Sequence, residues 1–294
     1  MNEVEFDTEY GRLRADRSHG ASSLARQTLE LLGRSAAHLG ELEAHMLCRI
    51  LEQRCDRLAQ VRPSMAVIGA QVQRWQAELQ KVCNPGVACS GTPLSSQQLA
   101  AHMAQYAIQM ISESQCACGA AAGHMAALIK PGQTLITLSS SSTLDAVFAR
   151  LNPQMHIIVA ESRPLNEGVE VTRSLLQRGF DVTLITDAQM GLFAPQADMA
   201  LIGADTVLAD GSVVNKARSY LLALAAHAAG VKVYCCHESY KKCSLEREEF
   251  AIEAMDVAEL GHPEIPAAAQ QNLYFDCTPP HLISARVTEH GVEE

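Results

Sequence analysis

The spacing of hydrophobic residues divides the chain into two parts. Over residues 20–129, Leu, Ala and Met recur at steps of three and four with almost no β-branched residues, which predicts amphipathic helices. Two examples are SLARQTLELLGRSAAHLGELEAHMLCRILEQRCDRL and SSQQLAAHMAQYAIQMISESQ. Residues 83–93 contain prolines and glycines and are interpreted as a loop. The first part of the chain is therefore predicted to be helical.

After Lys130 the pattern changes to short apolar runs separated by helical stretches. The runs are TLITLS, HIIVAES, DVTLITD, MALIGAD, VKVYCCHE and NLYFDC, which begin at residues 134, 156, 181, 199, 231 and 272. Apolar strands that alternate with helices are typical of a parallel sheet covered on both faces. We predict an α/β protein with a helical N-terminal domain at residues 1–129 and a Rossmann-like, doubly wound parallel sheet domain at residues 130–294.

Composition narrows the classes of function. Of the 294 residues, 48% are apolar and 19% are charged, which is typical of a folded protein. The formal net charge of -10 disfavours direct nucleic-acid binding, which needs clustered Lys and Arg. The N-terminal MNEVEFDTEY lacks a signal-peptide pattern, and no run approaches the ~18 apolar residues of a membrane span. We expect a cytoplasmic protein without membrane contact, whose ten cysteines are reduced thiols.

Known cofactor and metal motifs are missing from this sequence. The cysteines do not show the paired C-x-x-C spacing of a structural zinc site. No G-x-G-x-x-G follows a strand, and no Walker loop is present, so a dinucleotide cofactor and phosphoryl transfer of the Walker type are disfavoured. We therefore expect no cofactor and no metal.

Ligands of open parallel sheets bind at the carboxyl ends of the strands, so the residues after each strand are considered together. Ser139 and Ser140 open a serine run after the first strand, which suits either phosphate binding or a plain helix cap. Arg163 follows the second strand in ESRPLNEG and either grips a phosphate or is a solvated loop residue. Asp187, after the third strand, is interpreted as a helix cap.

The fourth and fifth strands add an acid and further cations. Asp205 ends the run MALIGAD, where burial would raise its pKa and suit proton transfer, although it could simply form an aspartate turn. Asn215 is predicted to cap a helix that begins at Lys216. Lys216 and Arg218 in its first turn would oppose the helix dipole unless an anion were bound. The segment HESYKK brings Lys241 to the same edge, together with a histidine and a tyrosine.

These residues predict a pocket for a small phosphorylated ligand that is rich in hydroxyl groups. The cations at 163, 216 and 241 would receive phosphate, and Asp205 would act on a hydroxyl or C–H group of the ligand. Positive charge is needed for phosphate, and an acid suits hydroxyl or C–H chemistry.

Several longer motifs resemble a known superfamily. ESRPLNEG, GADTVLADGSVVNKARSYLLALAAHAAGVKVY, HESYK and YFDCTPPHLISARVTEHG are similar to the alpha, beta and delta subunits of initiation factor 2B. That superfamily also contains methylthioribose-1-phosphate isomerase and ribose-1,5-bisphosphate isomerase. Clear similarity covers residues 134–291. The weaker match DRSHGASSLARQTLELL would place Gly20 and Ala21 near a substrate phosphate. The resemblance implies a helical domain plus a Rossmann-like domain, usually in a dimer.

The resemblance also implies chemistry, namely aldose–ketose isomerisation of a ribose 1-phosphate derivative. The isomerases use a cysteine and an aspartate; the aspartate corresponds to Asp205, and phosphate and sugar contacts correspond to Arg163, Asn215 and Lys216. The cysteine position is occupied by Ser139, whose hydroxyl is far less acidic than a thiol of pKa about 8.5. Arg218 stands where the family commonly has glycine.

Three hypotheses remain open from the sequence. The chain is a sugar-phosphate isomerase with Asp205 and Ser139 at its catalytic centre, a regulatory or binding subunit that recognises a sugar phosphate or nucleotide, or a scaffold with a vestigial pocket. The two departures at 139 and 218 favour the binding hypothesis. A homodimer or a heteromer with a paralogue is expected in each of them.

Overall fold

The computed structural model describes residues 1–83 and 94–293, which form two compact units, Met1–Cys116 and Ala117–Glu294. The helices within them are α1 Glu3–Ala15, α2 Ala21–Leu39, α3 Ala44–Ala59, α4 Ala66–Cys83, α5 Ser96–Leu128, α6 Ser142–Phe148, α7 Glu167–Gln177, α8 Met190–Phe193 and α9 Ser219–Ala228. The strands are β1 Thr134–Leu138, β2 His156–Ala160, β3 Asp181–Ile185, β4 Met199–Ile202, β5 Thr206–Val207, β6 Val213–Lys216, β7 Lys232–Cys236, β8 Phe275–Thr278, β9 Ala285–Thr288 and β10 Gly291–Glu293.

The first unit is helical, as the three- and four-residue spacing predicts. Its core is made of leucines from α2 and α3 together with α4, where Trp75 is fully buried and its indole N–H donates to the carbonyl of Met103 at 3.1 Å. Helix α1 was not anticipated, although Asn2 and Glu5 form a capping box that marks its start. The predicted loop at 83–93 begins where α4 ends, and residues 84–93 lie outside the described residues.

Among the cysteines that the structure describes, one pair differs from the expectation of reduced thiols. Cys48 on α3 and Cys83 at the end of α4 form a disulfide, with 6.5 Å between their Cα atoms. The two helices pack against each other, and this brings cysteines 35 residues apart within bonding range. The sequence spacing of these cysteines did not indicate the pairing, because it depends on how the helices pack.

The second unit contains the predicted doubly wound sheet. Its strand order is β10-β9-β7-β4-β1-β2-β3, and every pairing is parallel except that of the edge strand β10. Alternate residues of the strands face opposite cores. Ile136 and Ile158 pack with residues of α8 and α9, whereas Leu135 and Ile157 pack with the end of α5, α6 and α7. Helices thus cover both faces, which explains the continuous apolar runs.

A second, three-stranded antiparallel sheet has the order β5-β6-β8. It corrects two predictions. The run NLYFDC contributes β8 to this small sheet and is not a strand of the parallel one. Lys216 ends strand β6, so no helix begins there; α9 begins at Ser219. Residues 206–216 form a hairpin, and its pairing with β8 outweighs the local helical pattern.

The division into domains at 129 and 130 stays a prediction, since the compact units meet inside α5, at Cys116 and Ala117. Within residues 1–83 and 94–293, no helix is long and apolar enough to cross a membrane.

Candidate functional site

The carboxyl ends of β1, β2 and β4 lie side by side, because β1 pairs with both of the other strands. The strand order also reverses at this point, with β2 and β3 on one side of β1 and β4 and β7 on the other. Ligands of open α/β sheets bind outside the strand ends at such a reversal. Ser139 follows β1 and Gly203 follows β4, so both lie at this position.

Glu167 connects two of the predicted site residues. The Ser139 hydroxyl donates to Oε2 of Glu167 at 2.5 Å, and the Lys216 ammonium donates to Oε1 at 2.7 Å. The side chains of Lys216 and Glu167 are 12% and 14% exposed, so the pair is mostly buried but retains some contact with water. The Lys216 ammonium also lies 4.3 Å from the centre of the Tyr274 ring. The ends of β1, α7 and β6 therefore meet at one carboxylate.

The backbone at Ser139 has an unusual conformation. Its φ is 57°, in the left-handed region, and its N–H donates at 2.8 Å to the hydroxyl of Ser162, whose φ is 61°. Non-glycine residues are uncommon in this region and are often found at functional sites. The strained turn aims the Ser139 side chain at Glu167.

Gly203 allows a close approach beside the serine run. A Cβ atom at this position would lie 2.7 Å from Oγ of Ser141 and 3.8 Å from Oδ1 of Asn215. Ser141 is the residue that caps α6, since its Oγ accepts from the N–H of Leu144. Ser140 is exposed. The helix-cap interpretation of the serine run therefore applies to Ser141, and phosphate binding by Ser139 and Ser140 stays a prediction.

Asn215 does not cap a helix, contrary to the prediction. It lies on β6 and is buried, and its amide donates to the Ser219 hydroxyl at 2.9 Å. That hydroxyl in turn donates to the carbonyl of Lys216. Asn215 thus ties the end of β6 to the start of α9.

Lys241 is buried, although the sequence predicts that it receives phosphate at the edge of the sheet. It is 3% exposed, and its ammonium is 3.0 Å from Oε2 of the fully buried Glu238. Burial opposes the charged form of Lys241, but the nearby charges of Glu238 and Asp205 outweigh it and raise its pKa. Asp205 itself is 8% exposed, and its N–H donates to the carbonyl of Val214. Asp205 therefore sits beside a buried cation.

Arg163 is exposed, and its guanidinium donates to the carbonyl of Leu260 at 2.9 Å. Asp187 has more partners than the predicted helix cap would have. It accepts from the N–H groups of Ser162 and Arg163, and its Oδ2 is 2.7 Å from Nε of Arg218. The cap of the following turn is Thr186, so Asp187 is a structural residue but not the predicted helix cap. Asp187 joins the loop after β2 to the start of α9.

Arg218 occupies a backbone conformation that favours glycine. Its φ is 90°, in the left-handed region where glycine is favoured. Its N–H donates to Asp276, which also accepts from the N–H of Tyr220 and so caps α9. Burial raises the pKa of the Asp276 carboxyl to about 6, against the lowering effect of these hydrogen bonds. Arg218 is therefore held at both its backbone and its side chain.

Two buried groups lie at the carboxyl end of β7, where Cys236 is the last residue of the strand and His237 is the next. Burial raises the pKa of the Cys236 thiol, which suits a packing residue better than a reactive one. His237 is fully buried, with Nδ1 2.9 Å from the carbonyl of Glu238, and its Nε2 has no hydrogen-bond partner among the described residues. Burial lowers the pKa of His237 to about 4, so its ring is neutral near pH 7. Neither group supplies a charge to the site.

Gly20 and Ala21 lie in the first compact unit, where Gly20 precedes α2 and Ala21 is its first residue. Their assignment to a substrate phosphate stays a prediction.

Sequence reasoning missed Glu167, and its signal was weak. It is the first residue of α7, four positions after Arg163 in ESRPLNEG, where an acid is expected to complement the helix dipole in any case. Only the fold brings it to Ser139 and Lys216. Among residues 1–83 and 94–293, no three His, Cys, Asp or Glu side chains are grouped so that they could hold a metal ion.

The family model and the similar proteins indicate the same family. Residues 17–294 match the family described as "Initiation factor 2 subunit family". A Pyrococcus abyssi protein described as eIF-2B subunit 2-like is 30% identical over 95% of this chain and 93% of its own length. A ribose 1,5-bisphosphate isomerase from Archaeoglobus fulgidus is 34% identical over 55% of this chain and 54% of its own length.

A solved structure from the same family has a similar fold. The crystal structure of the Pyrococcus horikoshii OT3 translation initiation factor eIF-2B matches with a TM-score of 0.80 and 28% identity. The match covers 100% of this chain and 98% of that one. Both compact units therefore have counterparts in a single solved chain.

Proposed function

Because the chain belongs to the initiation factor 2 subunit family, we propose that it is a binding or regulatory protein for a phosphorylated sugar or nucleotide. The ligand would lie at the carboxyl ends of β1, β2 and β4. In this proposal Lys216 and Arg163 receive the phosphate and Asp205 faces the sugar. The observation that carries the proposal is the hydrogen-bonded group Ser139–Glu167–Lys216, which joins three distant segments at the strand reversal.

Binding is favoured over turnover by the chemistry at Ser139. A hydroxyl donates and accepts protons far less readily than a thiol, whose unperturbed pKa is about 8.5. Cys236 does not replace the thiol, since it is buried with a raised pKa and its Sγ contacts the carbonyl of Ala121. The side chains at the site therefore suit ligand binding better than catalysis.

The binding proposal can be tested by thermal shift and calorimetry. The probes are ribose 1,5-bisphosphate, methylthioribose 1-phosphate and AMP. At a hundredfold excess over the dissociation constant, a ligand stabilises the folded state by about 2.7 kcal/mol. Lys216→Met should weaken binding about tenfold or more, since hydrogen bonds to charged groups contribute roughly 1.5–3 kcal/mol. The control is Lys232→Met, at the exposed amino end of β7. No shift with any probe in the unmodified chain would refute the proposal.

The second candidate is an aldose–ketose isomerase that acts on a ribose 1-phosphate derivative. It is favoured by the position of Asp205, a mostly buried carboxylate beside the Lys241 ammonium, which suits proton transfer. It is also favoured by the similarity to the archaeal ribose 1,5-bisphosphate isomerase. Formation of ketose from either sugar phosphate, and its loss in Asp205→Asn with binding retained, would support this candidate. Binding of these compounds without turnover would exclude it for them.

We further propose a cytoplasmic protein that associates with a second copy of itself. Apolar side chains on the outer face of α9 and on α8 support association. They are Leu192, Tyr220, Leu221 and Leu224, with exposures from 37% to 69%. A paralogue is the alternative partner, because a homologous chain would present a similar apolar surface to α8 and α9.

A further inference from the structure

Glu167 holds the position that a ligand anion would need. Its two carboxylate oxygens accept from the Ser139 hydroxyl and from the Lys216 ammonium. A phosphate oxygen placed between these two donors would make the same pair of contacts. Glu167 therefore supplies, from within the chain, the negative charge and the acceptor atoms of a phosphate.

The backbone under Glu167 is firmly placed. It is the first residue of α7, where the helix dipole favours a negative charge. The next residue, Gly168, donates its N–H to the carbonyl of Glu161, and a Cβ at Gly168 would lie only 1.9 Å from the carbonyl oxygen of Ala160. The helix start is thus packed against the end of β2, and the carboxylate can leave Lys216 only by rotating its side chain.

We infer that Glu167 is a built-in competitor for the anionic group of the ligand and so sets the affinity of the site. This inference rests on the proposed binding function. A phosphate reaches Lys216 only by displacing the carboxylate, since two anions on one ammonium repel each other. Two other cations are also neutralised within the chain, because Arg218 is paired with Asp187 and Lys241 with Glu238. The site is nearly neutral, and it discriminates against weakly charged anions.

The test is Glu167→Gln in the full chain. Calorimetry would measure the dissociation constants of inorganic phosphate and ribose 1,5-bisphosphate for the unmodified chain and the variant. Removal of the competing charge should tighten binding of both probes about tenfold, which corresponds to 1.4 kcal/mol. The gain should disappear in the double variant Glu167→Gln with Lys216→Met. Glu170→Gln, an exposed acid of the same helix that pairs with Arg173, is the matched control and should leave both constants unchanged.

The outcomes separate this inference from the proposed function. If the unmodified chain binds and Glu167→Gln binds equally or more weakly, the carboxylate contacts the ligand, and the inference is wrong while the binding function stands. If Glu167→Gln binds and the unmodified chain does not, the inference is supported and ligand binding by the natural chain fails. If neither binds while circular dichroism and melting show folded protein, both are wrong.

Discussion

At the scale of single residues, Gly168 is required by the contact between β2 and α7. A methyl group there would overlap the carbonyl of Ala160, and backbone atoms cannot move aside cheaply. Gly168→Ala should therefore lower the free energy of unfolding by about 2 kcal/mol or more. The control is Gly191→Ala in α8, where nothing lies within 4 Å and the change should stay below about 1 kcal/mol. Urea denaturation measures both, and equal losses would contradict the packing argument.

The half-buried Asp276 and the fully buried His237 give opposite pH dependences. The pKa of Asp276 is raised to about 6, so its contribution to folding stability is present at low pH and is lost as pH rises through 6. The pKa of His237 is lowered to about 4, so its contribution to folding stability is present above the usual histidine pKa of 6.5 and is lost as pH falls toward 4.

Relative to Asp276→Asn, the unmodified chain should gain stability as pH falls from 6 to 4. Relative to His237→Gln, it should lose stability over pH 6.5 to 4. Denaturation curves at several pH values measure both, and a pH-independent difference would refute either assignment.

At the scale of secondary-structure elements, the disulfide between Cys48 and Cys83 links α3 to the end of α4. A cross-link over 35 residues stabilises by about 3–4 kcal/mol through the entropy of the unfolded chain. Reduction, or the double change Cys48→Ser and Cys83→Ser, should lower the unfolding free energy by a similar amount. Reductant should have no further effect on the double variant. In denaturant without reductant, an alkylating reagent should leave Cys48 and Cys83 unmodified; alkylation of both would show that the bond does not form.

At the scale of the whole molecule, the apolar surface of α8 and α9 should be covered in solution. The proposed association predicts sedimentation at twice the chain mass of 31.7 kDa. Leu221→Asp combined with Leu224→Asp should shift the protein toward the monomer, because burial of a charge in an apolar interface is unfavourable. Leu176→Asp, at a somewhat more exposed site on α7, should leave the mass unchanged. A monomer mass for the unmodified chain at micromolar concentration would refute the homodimer.

The sequence by itself determined the fold class and most of its elements. Helical spacing in the first part and apolar runs in the second are local patterns, and each reflects which faces of one element are buried. The five runs from Thr134 to Cys236 therefore became strands of the parallel sheet, as predicted. Local patterns also placed Ser139, Asp205 and Arg163 after strands, because the end of an apolar run can be found in the sequence.

Tertiary structure alone decided the partners of these residues. Lys216 seemed to begin a helix, but pairing with β8 made it the end of a strand. Glu167 has no distinctive local signal in the sequence, but the fold brings its carboxylate to Lys216. Lys241 is predicted to receive phosphate at the strand edge, but the fold buries it against Glu238. Each of these charged side chains pairs with a residue whose position is set by a distant segment of the chain. The spacing of apolar residues does not indicate which distant segments come into contact.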